Sequence, residues 1–298
     1  MKDVLKNYVA KKHGVGDSEK IIEDNHLDYI YTDKPHNVKF LFNKANVILL
    51  QNELSWICKI FDKERIEYIT FKGIVLSTRL YDNIYTRFFC DIDIYVFPQC
   101  FDRALNMLFD NGYTPKDQTE LSNPHHVTLK KDRITVELHR NILNPFTKIN
   151  ETYMYNHTEI FDLAKQKIVT LDLTGTFLHL IYHLYMDAKL LLDNIYDVYT
   201  RGRTPSIKRF YARAYEIALF SQKYSSKINW DEVISDINKQ DLHIIFKSAF
   251  NDILDIFPNA FPRKLVDVIH NREYTVDEKY AFYKCIINSN SPTVQTLS

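Results

Sequence analysis

Asp91-Ile92-Asp93-Ile94-Tyr95-Val96 is the stretch on which the reading of this chain turns. In an extended strand successive side chains point to opposite faces, so Ile92, Ile94 and Val96 share one face while Asp91 and Asp93 share the other. Pro98 stops the strand. A second stretch, Ile134-Thr135-Val136-Glu137-Leu138-His139, alternates in the same way, turning Ile134, Val136 and Leu138 to a core and Thr135, Glu137 and His139 away from it. If the two strands are neighbours, Asp91, Asp93 and Glu137 converge.

Crowded carboxylates repel one another and take up protons unless cations neutralise them. The arrangement therefore invites a hard, oxygen-loving ion, Mg²⁺ with Mn²⁺ as a substitute. Two such ions roughly 3.5 to 4 Å apart can clamp a triphosphate and activate an attacking hydroxyl for in-line displacement. Phosphoryl or nucleotidyl transfer is the chemistry this pattern predicts. Just upstream, Lys72-Gly73 ends a strand and allows close backbone approach to a phosphate. Arg87, four residues before Asp91, offers a second cation, and Arg79 on the intervening helix is a weaker candidate.

Outward from this motif, residues 66 to 142 read as short strands separated by helices. Ile66 to Phe71 forms a strand, a helix follows the Lys72-Gly73 turn through Tyr81, and another runs from Phe101 to Phe109 and ends at Asn111-Gly112-Tyr113. Val127-Thr128-Leu129 and Ile134 to Leu138 flank Lys131-Asp132 as a hairpin. Before this unit, Phe40, Phe42, Ala45, Ile48, Leu49, Leu54, Ile57 and Phe61 recur at helical spacing. An earlier helix starts near Asp17-Ser18-Glu19-Lys20 and is limited by Pro35. After it, helical periodicity returns in 177–198, 207–224, 230–238 and 242–257, and the tail 288–298 has the composition of a disordered end. The expected fold is α+β: an N-terminal helical layer (1–65), a small mixed-sheet core (66–165) and a C-terminal helical bundle (166–298) that closes a cleft.

Composition narrows the function classes. The 298 residues carry 38 Lys plus Arg against 38 Asp plus Glu, which gives no electrostatic case for a nucleic-acid or membrane partner. Only 6 residues are Gly, against a glycine-rich dinucleotide fold. Cys58, Cys90, Cys100 and Cys285 form no C-x-x-C pair and read as free thiols in a reducing compartment. With no apolar run of membrane-spanning length and no signal-like start, a cytoplasmic location is expected.

Phe71-Lys72-Gly73-Ile74-Val75-Leu76, Leu80-Tyr81, Arg87 and Asp91-Ile92-Asp93-Ile94, followed by His125-His126 and Glu137-Leu138-His139, together resemble the uncharacterised bacterial nucleotidyltransferases of the DNA polymerase β-like superfamily. The resemblance covers roughly Tyr68 to Ile142 well and the helical remainder loosely. It implies that Asp91 and Asp93 hold the metals, that Glu137 completes the site, and that the Lys72-Gly73 turn, with Arg87, faces the nucleotide phosphates. The wider superfamily usually has Gly-Ser in place of Lys72-Gly73, often Ser in place of Cys90, and often Asp in place of Glu137. The expected enzyme is a nucleotidyltransferase of the 2.7.7 type, moving an NMP group from an NTP, ATP included, to an acceptor. A small molecule, peptide or protein suits the charge balance better than RNA as that acceptor.

Two other readings stay open. His179, His183 and Asp187 share one helix face at i, i+4, i+8, which would suit a metal-dependent phosphohydrolase, although such a row is more often a hydrogen-bonded face. The resemblance also places this helix over the nucleotide site, with Asp193 or Asp197 near its far end. A catalytically inert module that binds a nucleotide or a partner is the third. His125, His126 and His139 could bind substrate, orient a carboxylate or satisfy a sheet end, the last being the expectation for His126. Cys90 reads as a buried thiol.

Overall fold

Residues rich in β-branched and aromatic side chains build the centre of the molecule. The computed structural model describes residues 1–31, 37–143, 145, 149–193, 210–240, 242 and 244–273. Pro35, Asp197, Cys285, the side chain of Asp193 and the tail 288–298 lie outside the described residues. β1 (Tyr68–Phe71) pairs antiparallel with β2 (Ile92–Val96), which runs parallel to β5 (Ile134–His139). β5 closes a hairpin with β4 (His126–Lys131), whose outer neighbour is the short β3 (Thr114–Pro115). Asp132, with φ 53°, makes the hairpin turn at the place the sequence indicates. The other edge carries a second hairpin, β6 (Thr158–Leu163) and β7 (Gln166–Leu171), and the sheet order is β3-β4-β5-β2-β1-β7-β6.

That second hairpin is absent from the sequence reading and carries the sheet past residue 165. β6 leaves Ile160 64 % exposed on one face with Thr158 and Asp162 and sets Glu159 among the inner residues, so its apolar signal is weak. β7 joins β1 by the parallel register Thr70↔Thr170. Two threonine hydroxyls reinforce it, Thr70 donating to the Val169 carbonyl (2.8 Å) and Thr170 to the Thr70 carbonyl (2.7 Å).

Both faces of the sheet are covered. On one face lie α4 (Val38–Lys63) and α6 (Phe101–Asp110), which bury Leu50, Leu54, Ile57, Phe61, Ala104 and Leu108 against Ile92, Ile94 and Val96. Asn37 caps α4, its side chain accepting from the backbone N–H of Lys39 and Phe40. The opposite face, with Ile69, Phe71 and Tyr95, packs on a helical bundle. That bundle contains α8 (Leu173–Asp193), α9 (Phe210–Tyr224), α10 (Trp230–Lys239), α11 (Ile244–Ile256) and α12 (Arg263–Asn271). The N-terminal α1 (Lys2–His13), α2 (Val15–Asp24) and α3 (Asp28–Tyr31) join this bundle through Leu5, Val9, Leu27 and Ile30, whereas α4 belongs to the sheet. The N-terminal helices are thus divided between two cores. The remaining helices are α5 (Gly73–Leu80) and the short α7 (Tyr153–Asn156). The α+β expectation holds, and no described helix is long and apolar enough to cross a membrane.

Candidate active site

The parallel register of β2 and β5 sets Asp93 directly opposite Glu137. Strands so paired lie about 4.8 Å apart, and same-face side chains at one register must meet. Asp91, just ahead of β2, lines the same cleft as Asp93 and Glu137. The three carboxylates therefore gather where the alternation of the two strands places them. The cleft, of about 260 Å³, lies between this sheet face and the bundle; α8 contributes His179 and His183 and α9 contributes Arg213 and Glu216.

The Lys72-Gly73 turn sits against these acids. Lys72 has φ 56°, a conformation that a side chain with a Cβ rarely adopts and that costs about 1–3 kcal/mol. Its Nζ donates to Asp93 Oδ1 at 3.1 Å. Gly73 follows with φ 38°, opening α5, and a Cβ there would face the Asp91 carbonyl at 3.6 Å. Strained backbone and close approach thus coincide at one turn.

Electrostatics explains how so much charge is tolerated. Burial pushes Asp93 upward, but Lys72 and His139 outweigh it and hold the carboxyl well below the usual range. His139 Nε2 lies 3.1 Å from Asp93 Oδ1 and 3.5 Å from Glu137 Oε2, and Nδ1 lies 3.3 Å from the Asn141 carbonyl. Both ring nitrogens face acceptors, so the doubly protonated imidazolium satisfies them all, and the two carboxylates raise its pKa against the opposing effect of burial. Glu137 is likewise lowered despite burial, through His139. Burial, with repulsion from Asp93 and Glu137, pushes Asp91 up to about 6 even though Lys72 and Arg87 pull the other way. With Arg87 paired to Glu216, Lys72 and His139 face three carboxylates, which leaves a negative excess at the strand ends.

That excess and the oxygen donors fit a hard divalent cation. Among the described residues, two groups bring ligand atoms within 4.8 Å of one another: Asp93, Glu137 and His139, and His125, His126 and His139. Asp91 belongs to neither group, although it lines the same cleft. His179, His183 and Asp187 also form no such group; Asp187 Oδ2 lies 2.8 Å from Arg213 Nη2 instead. The helix-borne metal site of the phosphohydrolase reading is not assembled by these residues.

Arg87 is engaged elsewhere. Its Nε lies 2.6 Å from Glu216 Oε1, its Nη2 3.3 Å from Glu216 Oε2, and its Nη1 donates to the Gly73 carbonyl at 3.2 Å. It ties the Lys72-Gly73 turn to α9. Arg79 is fixed too, donating to Thr176, to Glu159 Oε1 (2.5 Å) and to the Leu171 carbonyl (2.7 Å). Two amides of α4 hold the loop that leads to Asp91. Asn43 donates to the carbonyls of Tyr85 (2.6 Å) and Arg87 (3.0 Å), and Asn46 to that of Phe89 (2.7 Å). Nothing in local periodicity marks Asn43, Asn46 or Glu216, because each acts on a residue more than 40 positions away.

His126 Nε2 stands 3.8 Å from Glu137 Oε1, and burial holds it below its ordinary pKa. Burial and the nearby His139 lower His125 to about 3. Cys90 is exposed, contrary to the buried thiol expected, with Sγ 4.0 Å from Asp91 Oδ2.

The model of a family described as "uncharacterised nucleotidyltransferase" matches residues 38–251, from the start of α4 into α11. The chain belongs to this family. The matched span includes the whole sheet, both strand-borne acids and the cleft walls from α8 and α9. Asn25, His26, Leu27 and Ile30, which line one end of the cleft, precede it. The crystal structure of an antigenic nucleotidyltransferase-like protein from Paracoccidioides brasiliensis is similar at 11 % identity with a TM-score of 0.43, covering 78 % of this chain and 96 % of that one. A search of curated proteins gives no match.

Proposed function

We propose that this nucleotidyltransferase moves an NMP group from an NTP to an acceptor hydroxyl or similar nucleophile in a metal-dependent reaction that releases pyrophosphate. The observation that carries the reading is the register of Asp93 with Glu137, with Asp91 beside them in a cleft roofed by the bundle. Asp91, Asp93 and Glu137 would hold Mg²⁺, or Mn²⁺ in its place. Once bound, the ion supplies neutralisation of the triphosphate and polarisation of its oxygens.

The chain's own residues do the positioning. Lys72 and His139 keep Asp93 ionised, and His139 fixes the carboxylates of both strands relative to each other. The N-terminus of α5 at Gly73 lines the cleft without a side-chain cap, and the first backbone N–H groups of a helix, which have no intrahelical acceptor, suit phosphate oxygens. The acceptor oxygen bonds to the α-phosphorus and gives up its proton, while the bond from that phosphorus to the bridging oxygen breaks and pyrophosphate leaves. Leu27, Leu76, Leu180 and Ile217 give the cleft an apolar portion. This favours a small molecule, peptide or protein side chain as acceptor over RNA, as does the charge balance. Free thiols and an NTP substrate fit a cytoplasmic setting.

The test is transfer of label from each α-³²P-NTP in lysate, with and without Mg²⁺, by the wild type and by Asp91→Ala/Asp93→Ala. The reading expects metal-dependent labelling that the double variant loses. Equal labelling by the double variant would sink it.

A further inference from the structure

Buried polar atoms without a hydrogen-bond partner are uncommon in folded proteins, and each calls for an explanation. In this molecule four of them sit on the two helices α8 and α9 that wall the cleft: both ring nitrogens of His179, Arg213 Nε and Asp187 Oδ2, of which His179 and Arg213 line it. His179 is 2 % exposed, lines the cleft, and packs edge-on against Phe71 with ring centroids 5.1 Å apart. Among the described residues its nitrogens have no hydrogen-bond partner. Arg213 lines the cleft one helix away, on α9. Asp187 Oδ2 is 2.8 Å from Arg213 Nη2 yet is in hydrogen-bond geometry with no donor. The contact is a close ion pair whose angles do not make a hydrogen bond.

The other two cations of the cleft are committed. Lys72 donates to Asp93, and Arg87 is held by both oxygens of Glu216 and by the Gly73 carbonyl. Arg213 is the cation whose present pairing leaves buried donor capacity unused. A guanidinium and an imidazole with unmet hydrogen-bonding capacity, set across a cleft from three carboxylates, match an anion rich in oxygen. A polyphosphate carries oxygens along a chain and can meet both walls of the cleft at once.

We propose that Arg213 and His179 form a polyphosphate clamp that receives the part of the triphosphate released as pyrophosphate, with Asp187 as the internal counter-ion that the substrate displaces. The choice of polyphosphate rests on the nucleotidyltransferase reading; the unmet polar atoms do not. Burial and the nearby Lys72 hold His179 neutral, so it offers one donor and one acceptor, and the charge comes from Arg213.

The clamp is tested by calorimetric titration of the full chain with inorganic tripolyphosphate, in EDTA and again with Mg²⁺, with sulfate as a separate arm. A charge-assisted hydrogen bond to an anion is lost in Arg213→Gln, so affinity falls about 10- to 100-fold. Asp187→Asn frees Arg213 of its competitor, and binding tightens several-fold. His179→Leu keeps the side chain's bulk without the nitrogens: its thermal midpoint rises, because two buried unmet groups are gone, while tripolyphosphate binding weakens. A structural role alone would not move stability and binding in opposite directions. Unchanged binding in Arg213→Gln and His179→Leu overturns the clamp, as does a wild type that binds sulfate as tightly as tripolyphosphate. Wild-type binding without any NMP transfer would leave the clamp standing and remove the transferase reading, so the two can fail separately.

Discussion

Replacing Glu216 by Leu strands a buried guanidinium. Arg87 and Glu216 keep only 14 % and 12 % of their side-chain surface exposed, and Arg87 meets both carboxylate oxygens. Removing one partner of such a pair costs roughly 3–5 kcal/mol, because the other charge stays buried without compensation. The residual exposure argues for the low end, about 3 kcal/mol. Tyr81, which donates to Glu216 Oε1 at 3.3 Å, loses its acceptor as well. Arg87→Met/Glu216→Leu removes both charges and should return to within about 1 kcal/mol of wild type, the orphaned Tyr81 hydroxyl accounting for the remainder. Urea denaturation, followed by the fluorescence of Trp56 on α4 and Trp230 on α10, measures all four corners of the cycle. If Glu216→Leu costs under about 1 kcal/mol, or the double variant costs the sum of the singles, Arg87 is not the structural tie described here.

Other outcomes follow from the same reasoning. A Cβ at Gly175 would stand 2.6 Å from His157 Cβ and 3.0 Å from the His157 carbonyl oxygen, so Gly175→Ala should destabilise by about 1–3 kcal/mol in the same assay. His157 Nδ1 and Asp172 Oδ2 are 3.0 Å apart; that bond raises His157 above its ordinary pKa against burial, and lowers Asp172 although burial opposes it. The raised histidine stabilises fully below about pH 6.5 and loses its contribution as pH climbs through the folded value, while the lowered Asp172 loses its own only as pH falls below about 4. The stability gap between wild type and Asp172→Asn should therefore shrink between pH 6 and pH 8.5; a gap that grows would contradict the pairing. Burial pushes the Cys58 thiol up to about 12, whereas Cys90 is exposed at the cleft. Iodoacetamide followed by peptide mapping should thus mark Cys90 well before Cys58, and Mg²⁺ with NTP should slow the labelling of Cys90.

The sheet-borne site was legible because strand alternation is a two-residue rule. Asp91, Asp93 and Glu137 needed only the guess that β2 and β5 are neighbours, which their register confirms. The hairpin at Asp132 and the helix of Phe101–Asp110 carry equally local signals. The β6–β7 hairpin went unread because β6 is an edge strand with one face largely polar. The buried partner of Arg87, Glu216, went unread because it lies 129 residues on, and no periodicity encodes such a distance. The row at His179, His183 and Asp187 was visible as a helix face, but whether it held a metal depended on Arg213 from another helix. His139 was read as one of three uses of a histidine, and only the Asp93 register shows it to be the group that holds two carboxylates.

The most direct measurement counts both products in one reaction: α-phosphate joined to acceptor and pyrophosphate set free, for wild type and Asp93→Asn, with Mg²⁺ and with EDTA. Equal amounts of the two products from the wild type with Mg²⁺, and neither from Asp93→Asn nor in EDTA, is the predicted result. Pyrophosphate or phosphate release without incorporation, or incorporation that survives in Asp93→Asn, would contradict the account.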